Sequence, residues 1–320
     1  MENIFRSIKN FFSSLFISGS SESYNINSLF LQYLILAAVI ILIVGGFVFI
    51  AAFRYRAKKQ PEKPNQVFGN KKLEMTWTIL PLIAVTLFFY FAVKTMSEIN
   101  EPLSNNKKPD IIIIAHQWWW DMRYPADKII TANELHIPVG KNLLMRVESA
   151  DVIHDWWVPE LGRKIDAIPG RLNYNWIMAD TPGVYIGACS EYCGMQHAWM
   201  RIRVVAQTQK DFDKWKMNQE KVPDLPSSEP ARTGAVLFEK KTCANCHSIA
   251  GTSAESHIGP DLTHLGSRET LLTGMLENNE QNLRRWLKDP QKIKQGAHMP
   301  DFILNDKELN ALVAYLEGLK

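Results

Sequence analysis

Apolar residues follow three different rhythms along the chain. The first is unbroken. Residues 23–53 contain no charged side chain, and 29–53 is almost wholly apolar over 25 residues. About 20 apolar residues suffice to cross a bilayer as a helix. A second charge-free run covers 75–93, and Pro81 lies near its start, where a helix tolerates proline better than in mid-span. Two spans, at about 29–53 and 75–96, are therefore expected to form a transmembrane hairpin.

The second rhythm has period two and runs from Pro109 to about Trp215. Leu172, Tyr174, Trp176 and Met178 alternate with polar or small residues, and Met200, Ile202 and Val204 alternate with Arg201 and Arg203. Residues 111–115 and 143–147 are further β-like runs. Pro125, Pro138, Pro159, Pro169 and Pro182 punctuate the segment. Short strands at this spacing predict an all-β sandwich or barrel. The third rhythm is helical. Leu309, Leu312, Val313 and Leu316 fall at i, i+3, i+4 and i+7, behind an N-cap and capping-box pair at Asn305 and Glu308. A helix is also expected over 231–241. Between strands and helices, residues 217–233 hold Pro223, Pro226, Pro230 and two serines, a linker composition.

Charge orients the hairpin. The loop 54–73 carries Arg54, Arg56, Lys58, Lys59, Lys63, Lys71 and Lys72 against Glu62 alone, whereas the first 28 residues carry only Arg6, Lys9, Glu2 and Glu22. The positive-inside rule makes the loop cytoplasmic and puts both termini on the outer face. Residues 4–17 are amphipathic and are expected to lie along the membrane surface. No clear signal-peptide cleavage site and no early cysteine for lipidation are seen. The net charge of +3 is too small to argue for nucleic acid, and at 320 residues two or more domains are expected.

The four cysteines change the picture most. They form two tight pairs, C-x-x-x-C at Cys189 and Cys193 and C-x-x-C at Cys243 and Cys246, with none left over. The first pair lies in the densest group of soft ligands in the chain, with His197 and Met200 close behind and His154 on an earlier segment. Two thiolates, two imidazoles and a thioether suit copper. One cysteine would suggest a single blue copper; two allow both sulfurs to bridge a copper pair. A disulfide would leave His154, His197 and Met200 without a role, and zinc would leave Met200 without one.

The second pair belongs to Cys243-Ala-Asn-Cys246-His247. C-x-x-C-H reads as covalent c-type haem attachment, with thioethers from both cysteines and His247 as the proximal ligand. Met299, followed by Pro300, is the expected sixth ligand, with His298, His257 and Met275 as alternatives. His/Met ligation raises a haem's potential, which suits a carrier that accepts electrons from other cytochromes.

From residue 29 to 320 the chain resembles subunit II of the haem-copper cytochrome c oxidases, in the bacterial caa-type form with a cytochrome c domain fused at the C-terminus. The resemblance rests on the run from Gln117 to Trp120, on Asp166-Ala-Ile-Pro-Gly-Arg-Leu172, on C-S-E-x-C-G-x-x-H-x-x-M, and on C-x-x-C-H. It implies an N-terminal segment at 1–28, the hairpin at 29–97, a cupredoxin domain at 108–215, a linker at 217–233, and an all-α class I cytochrome c domain at 234–320. It further implies the dinuclear centre CuA, with Cys189 and Cys193 bridging, one copper on each of His154 and His197, and Met200 and the Glu191 carbonyl completing the set. By the same resemblance the Glu191 side chain binds a magnesium ion shared with subunit I. Trp118 matches the aromatic residue where electrons arrive, and Glu74 the acid at the mouth of a proton path. Glu74 also stands out physically, as an acid at the start of a membrane span. Asp155 departs from the family's pattern, which has a small residue after the ligand histidine.

The expected function follows from the resemblance. The chain would be the electron-accepting subunit of a respiratory oxidase in the bacterial cytoplasmic membrane, carrying electrons from haem c to CuA and on to subunit I. Its partners would be subunit I, further oxidase subunits, membrane lipid, and an upstream cytochrome c or quinol-oxidising complex, alone or joined in a supercomplex. None of the eight histidines lies in a span, so the oxygen-reducing site belongs to another chain. A CuA-containing nitric oxide reductase, a copper-free quinol oxidase subunit and a free-standing membrane-anchored carrier are the alternatives; the intact soft-ligand set speaks against the second.

Overall fold

A computed structural model of the chain describes residues 17–56, 69–99 and 108–320. The amphipathic segment (except Ile17) and most of the basic loop lie outside the described residues. The chain divides into two units, one holding the two long helices and one holding the strands and the C-terminal helices.

In the first unit, α1 (Ser21–Arg54) and α2 (Lys71–Ile99) are long and apolar enough to cross a membrane, and their apolar side chains point outward. Tyr33 of α1 donates from Oη to the Phe88 carbonyl of α2 at 3.1 Å, and their rings lie 4.3 Å apart. The second helix starts earlier than its apolar run, because the Asn70 side chain accepts from the backbone N–H groups of Lys72 and Leu73 and so caps it. Pro81 consequently lies in the helix interior rather than near its start.

In the second unit, ten strands form two five-stranded sheets. The first has the order β3-β2-β1-β5-β8, built from β1 (Ile111–His116), β2 (Trp119–Tyr124), β3 (Ile129–Ala132), β5 (Leu143–Ser149) and β8 (Asn173–Ile177). The second has the order β4-β10-β9-β6-β7, built from β4 (Glu134–Pro138), β6 (His154–Trp157), β7 (Ile165–Ala167), β9 (Gly183–Cys189) and β10 (Arg201–Gln207). Alternation explains β1 and β10: Ile111, Ile113 and Ala115 are buried from one, Ile202, Val204 and Ala206 from the other. It fails for β8. Leu172 is 49% exposed while Asn175 is buried. The Asn175 amide oxygen accepts from Arg163 Nε at 3.0 Å, so its polar group is satisfied inside. Helix α3 (Gln209–Gln219) closes the domain by stacking Trp215 on His136, ring centroids 4.3 Å apart.

The C-terminal domain holds α4 (Glu229–Lys240), the two-stranded β11 (Thr270–Leu271) and β12 (Leu276–Glu277), α5 (Glu280–Lys288), α6 (Pro290–Ile293) and α7 (Asp306–Glu317). The capping box at Asn305 and Glu308 is present, and Leu309, Leu312, Val313 and Leu316 are buried. Helices α4 and α7 cross so closely that a Cβ on Gly234 would stand 2.0 Å from the Ala311 carbonyl oxygen. The linker is shorter than composition suggests. Residues 217–219 finish α3, and Ser228 caps α4 with Pro230 in its first turn, where proline's missing N–H costs nothing.

Candidate copper and haem sites

The soft ligands converge at one end of the second sheet. Strand β9 delivers Cys189, and its N–H donates to the Met200 carbonyl at 2.9 Å, closing a loop that returns into β10. A 3-10 turn (His197–Trp199) aims His197 back at that loop. Strand β6 pairs with β9 and brings His154 from an earlier segment. The two Sγ atoms lie 3.7 Å apart. His154 Nδ1 is 3.9 Å from Cys189 Sγ, His197 Nδ1 is 3.5 Å from Cys193 Sγ, and Met200 Sδ is 3.9 Å from Cys193 Sγ. The Glu191 carbonyl lies 3.2 Å from Cys189 Sγ. Cys189, Cys193, His154 and Met200 are buried. The thiol pair favours a single thiolate: a hydrogen bond from the Cys193 S–H holds Cys189 well down, to about 3, and the charge next door pushes Cys193 up. Two soft donors that already share a proton at this spacing fit a metal pair that displaces it.

Asp151, which no sequence pattern singled out, orients His154. Its Oδ1 lies 2.8 Å from His154 Nε2, leaving Nδ1 toward Cys189. A carboxylate behind a ligand histidine fixes its ring and tautomer. Burial works against charge on His154, but the bonds to Asp151 and Cys189 outweigh it and raise its pKa. Asp155 is buried opposite Asp166 across the β6 and β7 pair, with Lys164 Nζ 3.6 Å away. Burial, then the proton shared with Asp166, push it up to about 7. The Glu191 side chain is exposed, and Glu74 Oε1 accepts from the Asn70 N–H at 3.2 Å in the first turn of α2.

The second pair of cysteines opens on a cavity of about 350 Å³ whose walls include Cys243, Cys246, His247 and Met299. His247 is half-buried, and its Nδ1 donates to the Pro260 carbonyl at 2.7 Å, which leaves Nε2 for a metal. Burial lowers its pKa. A Cβ on Gly259 would stand 2.7 Å from His247 Cε1, so glycine makes room for the ring. Arg268, half-buried, donates to the Asp261 carbonyl but has no partner for its buried Nε. An apolar cavity with attachment cysteines, an available imidazole and a guanidinium with an unpartnered Nε fits a haem with its carboxylates. Of the rival sixth ligands, His298 lines the cavity, while His257 bonds Ser248 and, like Met275, is not on its wall.

Trp118 stands between the two sites. It is 7% exposed, lines the haem cavity, and donates from Nε1 to the Cys193 carbonyl at 2.9 Å. The His298 ring lies 5.9 Å from it. The loop 294–299 is held to the copper loop as well, with Gln196 Nε2 donating to the Gln295 carbonyl at 2.6 Å.

These features define a membrane-anchored copper domain of two β-sheets joined to a c-type cytochrome domain. Comparison with known proteins agrees along the chain. Residues 11–94 match the cytochrome c oxidase subunit II transmembrane domain, 127–207 its periplasmic domain, and 231–320 cytochrome c. Cytochrome c oxidase subunit 2 of Alkalihalophilus pseudofirmus is 35% identical over 312 residues, covering 94% of this chain and 89% of that one. The Bacillus subtilis protein of the same name is 32% identical over 292 residues, covering 85% and 82%. The periplasmic domain of subunit II of cytochrome oxidase of Bradyrhizobium japonicum is a solved relative at 36% identity and TM-score 0.34, covering 36% of this chain and 96% of that one. The chain belongs to the cytochrome c oxidase subunit 2 family. As such it is the electron-accepting subunit of a respiratory oxidase, passing electrons through haem c and CuA to subunit I, where oxygen is reduced to water with proton pumping.

Proposed function

We propose that the residues brought together here are the ones that carry this function. Cys189 and Cys193 would hold the copper pair together with His154, His197, Met200 and the Glu191 carbonyl. Cys243 and Cys246 would attach the haem covalently, and His247 and Met299 would bind its iron. Both groups are one-electron carriers when bound. The single observation that carries the reading is the hydrogen bond from Trp118 to the Cys193 carbonyl on the wall of the haem cavity, since one residue then touches both sites.

Each protein group has a distinct task. Asp151 holds His154 with Nδ1 free. The buried cysteine loop excludes water and fixes its donors, and rigid donors limit the rearrangement that accompanies electron transfer. Trp118 receives electrons from the cytochrome side. The exposed Glu191 carboxylate is available for magnesium shared with subunit I. Glu74 sits at the mouth of a proton path, on the cytoplasmic side if the basic loop is inside. The copper and haem domains then face outward from a bacterial cytoplasmic membrane, toward an upstream cytochrome c or quinol-oxidising complex, alone or in a supercomplex. The copper domain then runs from 108 through α3 to 219, and the haem domain from α4 at 229 to 320.

The test is metal and haem analysis of the purified complex. Two coppers and one covalent haem c per chain are expected, with an oxidised copper signal shared over two nuclei. A single-copper spectrum overturns the bridging assignment, and haem released by denaturation overturns the thioethers.

A further inference from the structure

Lys294 follows α6 and is 5% exposed, yet among the described residues it pairs with no carboxylate. Its Nζ donates to the Trp118 carbonyl at 2.7 Å and, at the limit of hydrogen bonding, to Thr273 Oγ1 at 3.5 Å. An ammonium has three N–H donors, so at least one is unassigned. Neither a carbonyl nor a hydroxyl neutralises it. A buried cation without a counter-charge is costly, and such groups persist where an anion completes the site. Burial draws Lys294 down to about 8 even though the Cys193 sulfur nearby works the other way, whereas a neighbouring carboxylate would keep it charged. The residue lies on the wall of the haem cavity. The group expected in that cavity carries two carboxylates.

We propose that Lys294 is a carboxylate-binding residue of the haem cavity, a positioning residue that binds a haem carboxylate and the Trp118 carbonyl with one ammonium. The inference rests on the haem assignment above. Arg268, by contrast, donates to the Asp261 carbonyl of its own domain, whereas the Lys294 ammonium donates to a carbonyl of the copper domain. Trp118 in turn donates to the Cys193 carbonyl, so two hydrogen bonds link Lys294 to the copper loop. A positive charge beside the haem also favours its reduced form.

The experiment is a spectroelectrochemical titration of haem c in the purified complex, wild type against K294Q and K294R. Glutamine can still donate to the Trp118 carbonyl but carries no charge; arginine keeps the charge. K294Q is expected to shift the haem reduction equilibrium by about tenfold toward the oxidised form, about 59 mV for one electron. K294R is expected to stay within about threefold of wild type. An unchanged midpoint in K294Q with haem in place overturns the inference. If K294Q does not accumulate, redox-difference infrared spectra of K294R decide. Guanidinium in place of ammonium should displace a haem carboxylate band identified by carboxylate ¹³C labelling, and an unmoved band overturns the inference. Covalent haem is assayed first in the wild type. Its absence overturns the haem assignment and this inference together, whereas its presence with an unmoved midpoint overturns this inference alone.

Discussion

Replacing Glu134 by alanine should unlatch the cytochrome domain from the copper domain. Glu134 lies on edge strand β4 and is only 3% exposed. Its Oε1 accepts from the Thr270 N–H at 2.8 Å and from Thr270 Oγ1 at 2.6 Å, and its Oε2 accepts from the Glu269 N–H at 3.2 Å. Hydrogen bonds to a charged group contribute about 1.5–3 kcal/mol each. Two of the three are short, and water can enter once the seam opens, so a net loss of about 3–4 kcal/mol is expected. At ~1.4 kcal/mol per tenfold, that is roughly 10²–10³ in the docking equilibrium. Glu269→Ala is the control. The Glu269 side chain is 65% exposed and makes an ion pair with Arg203. Exposed pairs of this kind contribute about 0–1 kcal/mol. Native-state hydrogen exchange at the Thr270 and Glu269 amides measures the opening. Tryptic cleavage after Lys221, whose carbonyl lies 3.1 Å from His264 Nε2, gives a second reading. If Glu134→Ala and Glu269→Ala behave alike in both assays, the buried carboxylate is not the latch.

Asp151→Ala should weaken copper binding by about 10–100-fold, measured by competition with a chelator, because His154 loses the group that orients it; unchanged affinity would remove Asp151 from the site. Met299→Leu should leave haem covalently bound but open the sixth position to added ligands and lower the potential; an unchanged spectrum would assign the ligand to His298 instead. Glu308 supplies a pH test. The Asn305 backbone N–H, then Lys241, hold its carboxyl below the ordinary 4.5. A depressed folded value means stability that is present above pH about 4.5 and is lost as pH falls through the lower folded value. Glu308→Gln should therefore flatten the acid limb of the cytochrome domain's unfolding profile, and an unaltered limb would contradict the assignment.

What could be read from the sequence was what repeats or clusters within a short stretch. The spans, the alternation in β1 and β10, the capping box of α7 and the two cysteine motifs are all local patterns. So is the soft-ligand loop, which needs only His154 from outside. The features that join the domains left no such pattern. Glu134 and Lys294 are ordinary polar residues in sequence and become notable only through burial and a partner far along the chain, and Asp151, within the copper domain, only through its bond to His154. Asn175 shows the same effect in β8, where a satisfied amide is buried at a position expected to face outward. The linker was overestimated because proline and serine favour both loops and helix starts, and Ser228 with Pro230 begins a helix.

That shortening bears on how electrons arrive. Seventeen free residues would span up to roughly 60 Å, whereas the nine from 220 to 228, between α3 and α4, reach at most roughly 30 Å. His264 further ties this stretch by its contacts with the Gln219 and Lys221 carbonyls at 3.2 and 3.1 Å. A wide swing of the cytochrome domain out to its donor is therefore unnecessary to the design and opposed by the Glu134 and Lys294 contacts. The donor is expected to meet the docked cytochrome domain, and Trp118, at 7% exposure, is shielded from soluble proteins. Deleting residues 234–320 tests this. Every expected copper ligand, and Asp151, lies within 151–200, so the copper signal should persist. Trp118 loses the Lys294 and His298 contacts that cover it, and a soluble cytochrome should then support turnover. Activity should rise with its concentration and fall with salt, as screened encounters do, while in the intact complex the internal haem-to-copper step depends on salt only weakly because it is intramolecular. If the truncated complex turned over equally fast with the native donor and no added cytochrome, the donor would reach the copper site directly and the docked cytochrome domain would not be the obligatory path.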